Sequence, residues 1–84
     1  MMARNDWERT GWDVPPRFHN VYGLKGSKKV IWIDNWAKRN WAVVLGVEHK
    51  SKGHSVTYEE KETLANFSSK NEANAEARKY METN

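Results

Sequence analysis

The chain has no cysteine, which excludes both a disulfide framework and a thiolate metal site. Its two prolines adjoin at Pro15-Pro16 and it has five glycines, too few for a collagenous or linker-like chain. Long apolar runs are also missing. The longest, Trp41 to Leu45, is far short of the roughly 20 residues of a membrane-spanning helix. No stretch has the layout of a signal peptide, and a cytoplasmic location with no membrane partner is the expectation. Catalytic signatures are equally scarce. Gly23-Leu-Lys-Gly26-Ser-Lys-Lys lacks the spacing of a phosphate-binding P-loop. His19, His49 and His54 are scattered over two loops and a weak strand, with no sign that they converge on a metal. Glu59 and Glu60 are adjacent on a strand and point to opposite faces, and neither they nor Glu62 has a nucleophile nearby. Charge on an edge strand, which discourages edge-to-edge pairing, accounts for them better. The expectation is a non-enzymatic protein without metal or cofactor.

What is present is aromatic and charged. The 84 residues include five Trp, three Tyr and two Phe, and 30% are charged. A chain of this size buries only about 60–65% of its unfolded surface, so each large ring counts toward the core. Disordered chains are poor in such rings, and one small folded domain over 1–84 is expected. Net charge is +3, unevenly spread. Residues 1–58 carry ten Lys/Arg against five Asp/Glu, whereas residues 59–84 carry four against six. A basic body with an acidic end attracts polyanions on one side.

Residues 1–16 read as irregular, with Trp7 and Trp12 folding back onto the body. Strands are expected over 17–67. In residues 17–25 Phe18, Tyr22 and Leu24 share one parity while His19 and Val21 share the other. Gly26-Ser27 suits a type II′ hairpin turn before residues 28–36, rich in Val, Ile and Trp. In residues 41–48 Trp41, Val43, Leu45 and Val47 fall on one face, opposite the smaller and more polar Ala42, Val44, Gly46 and Glu48. HKSKGH, residues 49–54, reads as a loop. In the last strand, 55–67, Val56 and Tyr58 differ in parity from Ala65 and Phe67, which a bulge near Glu60, or two separate pieces, would reconcile. A helix over 69–83 follows. Ser69 and Glu72 have the spacing of a capping box, and Ala73, Ala77, Tyr80 and Met81 recur at helical spacing. The fold class is α+β: three or four antiparallel meander strands packed by one carboxy-terminal helix.

Three tryptophans, Trp32, Trp36 and Trp41, surround Lys38-Arg39. If Trp36 faces Trp41 across a four-residue loop, Ala37 to Asn40, all three rings join the core face with Asp34. If the register slips by one, Ile31 faces Val47 and Ile33 faces Leu45. Trp32, Asp34 and Trp36 then turn to the other face beside Ala42 and Val44, and Asn35 enters the core. A one-residue slip flips every side chain. Tryptophan in a small domain is scarce core material, which favours the first arrangement.

The stretch RNWAVVLGVEHKSKG…LANFSSKNEANAEARKYM has a strand opening on Trp, a second strand ending in Phe, and Ser-Lys-x-Glu-Ala starting a helix. Over about residues 28–82 this resembles the arm-type DNA-binding domain of tyrosine integrases, in which three strands back onto one helix. The resemblance implies that the sheet's open face enters the major groove and that Lys28, Lys29, Lys38, Arg39, Lys50 and Lys52 face phosphates. Ser68-Ser69-Lys70 is similar to the helix start of a double-stranded RNA-binding domain. The amino-terminal helix and basic cluster of that family are missing, however.

Two functions follow as expectations. The first is a nucleic-acid-binding module, duplex DNA before RNA, whose Lys and Arg release counterions while Trp36 stacks on a base or sugar, worth about 1–3 kcal/mol when exposed. The second is a protein-binding module, such as a phage or mobile-element inhibitor of a nucleic-acid-processing complex. Its hot spots would be Trp, Tyr and Arg, and its acidic strand 59–62 would imitate phosphate.

Overall fold

The computed structural model describes residues 6–9, 18–50 and 56–83. Trp12, Lys52, His54 and most of the segment expected to be irregular lie outside the described residues, and so do the side chains of Trp36, Lys50 and Val56. Among the described residues the elements run β1 (Trp7–Arg9), β2 (Phe18–Leu24), β3 (Lys29–Ala37), β4 (Asn40–Lys50), β5 (Val56–Phe67) and α1 (Lys70–Thr83). The strands form one antiparallel sheet in the order β1-β2-β3-β4-β5. The architecture is the expected α+β meander with a terminal helix, with five strands rather than three or four. The additional strand is β1. It comes from the segment expected to be irregular, and it is drawn into pairing with β2 because Trp7 buries its ring, 6% exposed, against the helix side of the sheet.

The helix begins as its sequence implies. Ser69 Oγ accepts the Glu72 backbone N–H at 3.3 Å and donates to Glu72 Oε1 at 3.2 Å. The reciprocal arm of the box thus runs between side chains rather than to the Ser69 backbone. Ala73, Ala77 and Met81 are buried and Tyr80 half-buried. They cover Ile31, Ile33, Val43 and Leu45, with Trp7, Leu24, Trp41, Leu64 and Phe67 around them. Alanines at the centre let the helix backbone sit close to the sheet.

The opposite face is buried as well. Val21, Val30, Trp32, Ala42 and Val44 are at most 2% exposed, with Phe18 and Tyr58 packed against them. Ala42 and Val44 therefore belong to a second core rather than to a polar exterior. Phe18 stacks on Trp32 with ring centroids 4.7 Å apart and planes 19° apart, and Tyr58 meets Trp32 edge-on at 6.1 Å. Gly46 makes room for this: a Cβ there would lie 2.5 Å from Trp32 Cζ3 and 2.7 Å from Cη2. The Trp32 indole N–H reaches Asp34 Oδ2 at 3.5 Å.

Bulges and turns set which residue joins which face. Ile31 pairs with Leu45, Trp32 with Val44, Ile33 with Val43 and Asn35 with Trp41. Neither expected register is realised. The faces are those of the slipped arrangement, but the partners are shifted by two residues. The reason is a tighter hairpin, with a Lys38-Arg39 turn and an irregularity between Asn35 and Ala37. Asn35 braces that turn, its Nδ2 donating to the carbonyls of Ala37 at 2.9 Å and Asn40 at 3.3 Å. The β2–β3 turn also differs from expectation. Ser27 N–H bonds the Leu24 carbonyl at 3.1 Å, which centres the turn on Lys25-Gly26. Gly26 has φ +75°, and positive φ at the third position is not the type II′ pattern. In β2 a bulge between His19 and Tyr22 puts Phe18 with Trp32 while Tyr22 and Leu24 turn to the helix. In β5 pairing skips Lys61 and again Leu64, giving two bulges in one continuous strand. Tyr58 and Phe67 needed no reconciling, because they serve opposite buried faces.

Candidate functional site

A meander places alternate turns at opposite ends of its sheet, and the basic residues divide accordingly. At one end stand Lys25 and Lys28, both exposed, and the half-buried Lys29. The Lys28 carbonyl accepts the Glu48 N–H at 2.8 Å, which ties this turn to β4. Lys29 Nζ lies 5.2 Å from the centroid of the Tyr80 ring, a cation–π distance. The backbone of Lys50 reaches the same end, where it pairs with Val56. At the far end Lys38 and Arg39 form the exposed β3–β4 turn. Trp36 is placed by its backbone in β3 just before that turn.

The helix crosses from the Phe67 corner toward Trp7, whose ring meets Tyr80 edge-on at 6.2 Å. The corner at Val47 stays outside the helix-side cluster. A shallow groove of about 390 Å³ lies there, with Leu45 and Val47 as floor and Lys28, Lys29, Lys61 and Glu62 as rim. Beside it Glu59 accepts from Lys61 Nζ at 2.7 Å and contacts His49 Nε2 at 2.8 Å. The hydrogen bond from Lys61, then that from His49, hold the Glu59 carboxyl below its ordinary value. Glu59 therefore offsets part of the charge on this end. Glu60 accepts from Thr63 Oγ1 at 3.0 Å.

The structure thus gathers Lys28 and Lys29 and separates them from Lys38 and Arg39. Lys25 and Lys61 belong to the first group and were not singled out from the sequence. Lys25 was legible as a turn cation, and Lys61 lies at a bulge beside Glu60, where the parity change along 55–67 had pointed to one. Trp32 is 1% exposed, so its ring offers no stacking surface. Trp41 is half-buried against the helix-side cluster and tilts on His19 at 5.2 Å. The sheet face opposite the helix is packed with buried side chains. The cations are consequently presented by the turns and strand ends. Among the described residues no group of three or more His, Asp or Glu is placed to hold a metal ion, and no helix is long and apolar enough to cross a membrane. No known protein family, no curated protein and no solved structure matches this chain, and its functional reading rests on its own geometry.

Proposed function

We propose that this protein is a small non-enzymatic nucleic-acid-binding module that lies along a duplex, most readily DNA, through the two basic ends of its sheet. One observation carries the reading: cations collect at opposite ends of the β3–β4 hairpin and are sparse between them. Lys28 and Lys38 flank β3, ten residues apart, about 33 Å at the rise of an extended strand. One turn of duplex measures about 34 Å, so both ends meet phosphates on the same side of the helix. Lys25, Lys28 and Lys29 would serve one phosphate cluster and Lys38 and Arg39 the other, with Lys50 and Lys52 kept as further phosphate-contact candidates. Trp36 is the ring proposed to stack at the second end.

The test is fluorescence anisotropy with a labelled duplex over a salt series. Lys25→Glu/Lys28→Glu and Lys38→Glu/Arg39→Glu, each with an unchanged melting temperature, should weaken binding and reduce the salt slope by about 1–2 units. Wild-type protein without measurable affinity for DNA or RNA at about 50 mM salt overturns the reading. The protein-binding alternative is supported by β5, a twelve-residue strand at the sheet's edge that exposes Glu59, Glu60 and Glu62. Retention by an immobilised basic protein partner, with indifference to heparin, would favour it.

A further inference from the structure

A second, chemically different cleft lies on the helix side between β2 and α1. Its volume is about 300 Å³, at the lower end of small-molecule sites. Asn20 forms one wall, Asn71, Asn74 and Arg78 the other, and Tyr22 and Met81 line it between them. A smaller hollow of about 100 Å³ shares Tyr22, Arg78 and Met81 and adds Trp7. Asn71, Asn74 and Arg78 are spaced i, i+3, i+7, which puts them in one stripe along the helix. Asn20 sits at the β2 bulge with φ +49°, a left-handed conformation that asparagine tolerates better than most residues. Its Nδ2 donates to Asn74 Oδ1 at 2.7 Å. Within the cleft Asn74 keeps its amide N–H groups, and Asn20 its carbonyl, without a hydrogen bond to another described residue. Arg78 is exposed and makes no ion pair among the described residues.

Among the described residues no carboxylate lines the cleft. These residues therefore offer a surplus of planar donors, one positive charge on Arg78 and a partly apolar floor. A guanidinium fork matches one carboxylate through two parallel hydrogen bonds. A phosphate carries about −1.5 to −2 at neutral pH, more than one Arg offsets. Among the described residues the Asn20–Asn74 pair keeps one unbonded carbonyl and unbonded amide N–H groups, the complement of an amide. We infer that the β2–α1 cleft binds a small N-acylated monocarboxylate. The carboxylate sits on Arg78, the amide on Asn20 and Asn74, and the hydrocarbon body on the half-buried Tyr22 ring. The cleft is large enough for about one acyl-amino acid, which is also the chemistry of a peptide's carboxy-terminal residue.

The experiment is a titration of the full chain, free of nucleic acid, followed by the NMR signals of the Asn20, Asn71 and Asn74 side-chain amides. The ligands are N-acetyl-leucine, a tetrapeptide ending in leucine, N-acetyl-leucinamide and inorganic phosphate. Saturable shifts are expected with the first two, and the tighter of them names the source. The uncharged leucinamide should bind about tenfold or more weakly, the loss of a charge-assisted hydrogen bond, and phosphate should not displace the acid. Arg78→Gln, at an exposed helical position, should have the same effect as removing the charge. Asn20→Gly accommodates the left-handed backbone, removes the amide, and should weaken the acid severalfold. Absence of saturable shifts with both carboxylates, equal binding of leucinamide, or wild-type affinity in a folded Arg78→Gln protein would each overturn the assignment.

Discussion

Under the helix the sheet presents Ile31, Ile33, Val43 and Leu45. On its other face it presents Val30, Trp32, Ala42 and Val44. The first set is aliphatic and is covered by a helix with alanine at its centre, so many medium-sized side chains share the burial. The second is organised around one large ring, held between Phe18, Tyr58 and the gap at Gly46. The same two strands supply both, because neighbouring residues on a strand point to opposite sides. Distributed packing tolerates a local change, since neighbours can close in on the space. A core built on a single ring concentrates its stability in that ring and in the glycine beneath it.

Breaking the ring is the largest test. Trp32→Ala should cost about 3–5 kcal/mol, the range for deleting a large buried aromatic, and should exceed the loss from Ile33→Ala at the paired aliphatic face. Urea denaturation of both variants measures the difference; a smaller loss for Trp32→Ala would refute the concentrated core. Gly46→Ala should come next. Its Cβ meets the Trp32 ring and the Glu59 backbone, and overpacking of this kind costs about 1–3 kcal/mol. Combining Gly46→Ala with Trp32→Leu should recover part of that loss, because the shorter side chain vacates the slot. A double-mutant cycle reads the coupling directly.

On the helix side the graded test is Ser69→Ala. It removes the cap on the Glu72 N–H and should cost roughly 1 kcal/mol, seen as a lowered denaturation midpoint with an unchanged slope. The smallest effect belongs to Glu59. Its pKa in the folded state lies below the ordinary 4.5 through Lys61 and His49. The stabilisation is therefore present above the ordinary value and is lost as pH falls through the folded one. Glu59→Gln should remove that slope, melting slightly below wild type at neutral pH and converging with it as pH falls through the acid window. The pair groups are about half exposed, so solvent screening keeps the effect slight.

Some of this was legible before folding. Ser69, Glu72 and the Ala73, Ala77, Tyr80, Met81 spacing located the helix and its buried stripe, because capping and 3.6-residue periodicity are local properties. The alternation of Trp41, Val43 and Leu45 located the face beneath it. The second core also left a signal: Val30-Ile-Trp-Ile33 and Ala42-Val-Val-Leu45 are continuous apolar runs, the pattern of strands buried on both sides. Lys28, Lys29, Lys38 and Arg39 were readable as turn-flanking cations, and meander geometry separates them whatever the register.

The sequence by itself therefore determined the types of β2 to β5 and α1, the helix boundaries and which residues of β4 share a face, but not β1, which it read as irregular. Tertiary structure alone decided the partners of β3, the bulge at Asn20 and the second β5 bulge at Leu64, the burial of Trp32 over Gly46, and the meeting of Asn20 with Asn74. The reason is physical. A period-two pattern is unchanged by a shift of two residues, so it specifies which side a residue faces but not which residue it faces. Bulges relieve mismatches between strands already paired, and the gap above Gly46 exists only once Trp32 lies across β4. Contacts between residues 54 positions apart, such as Asn20 and Asn74, arise only when the helix has closed over the sheet.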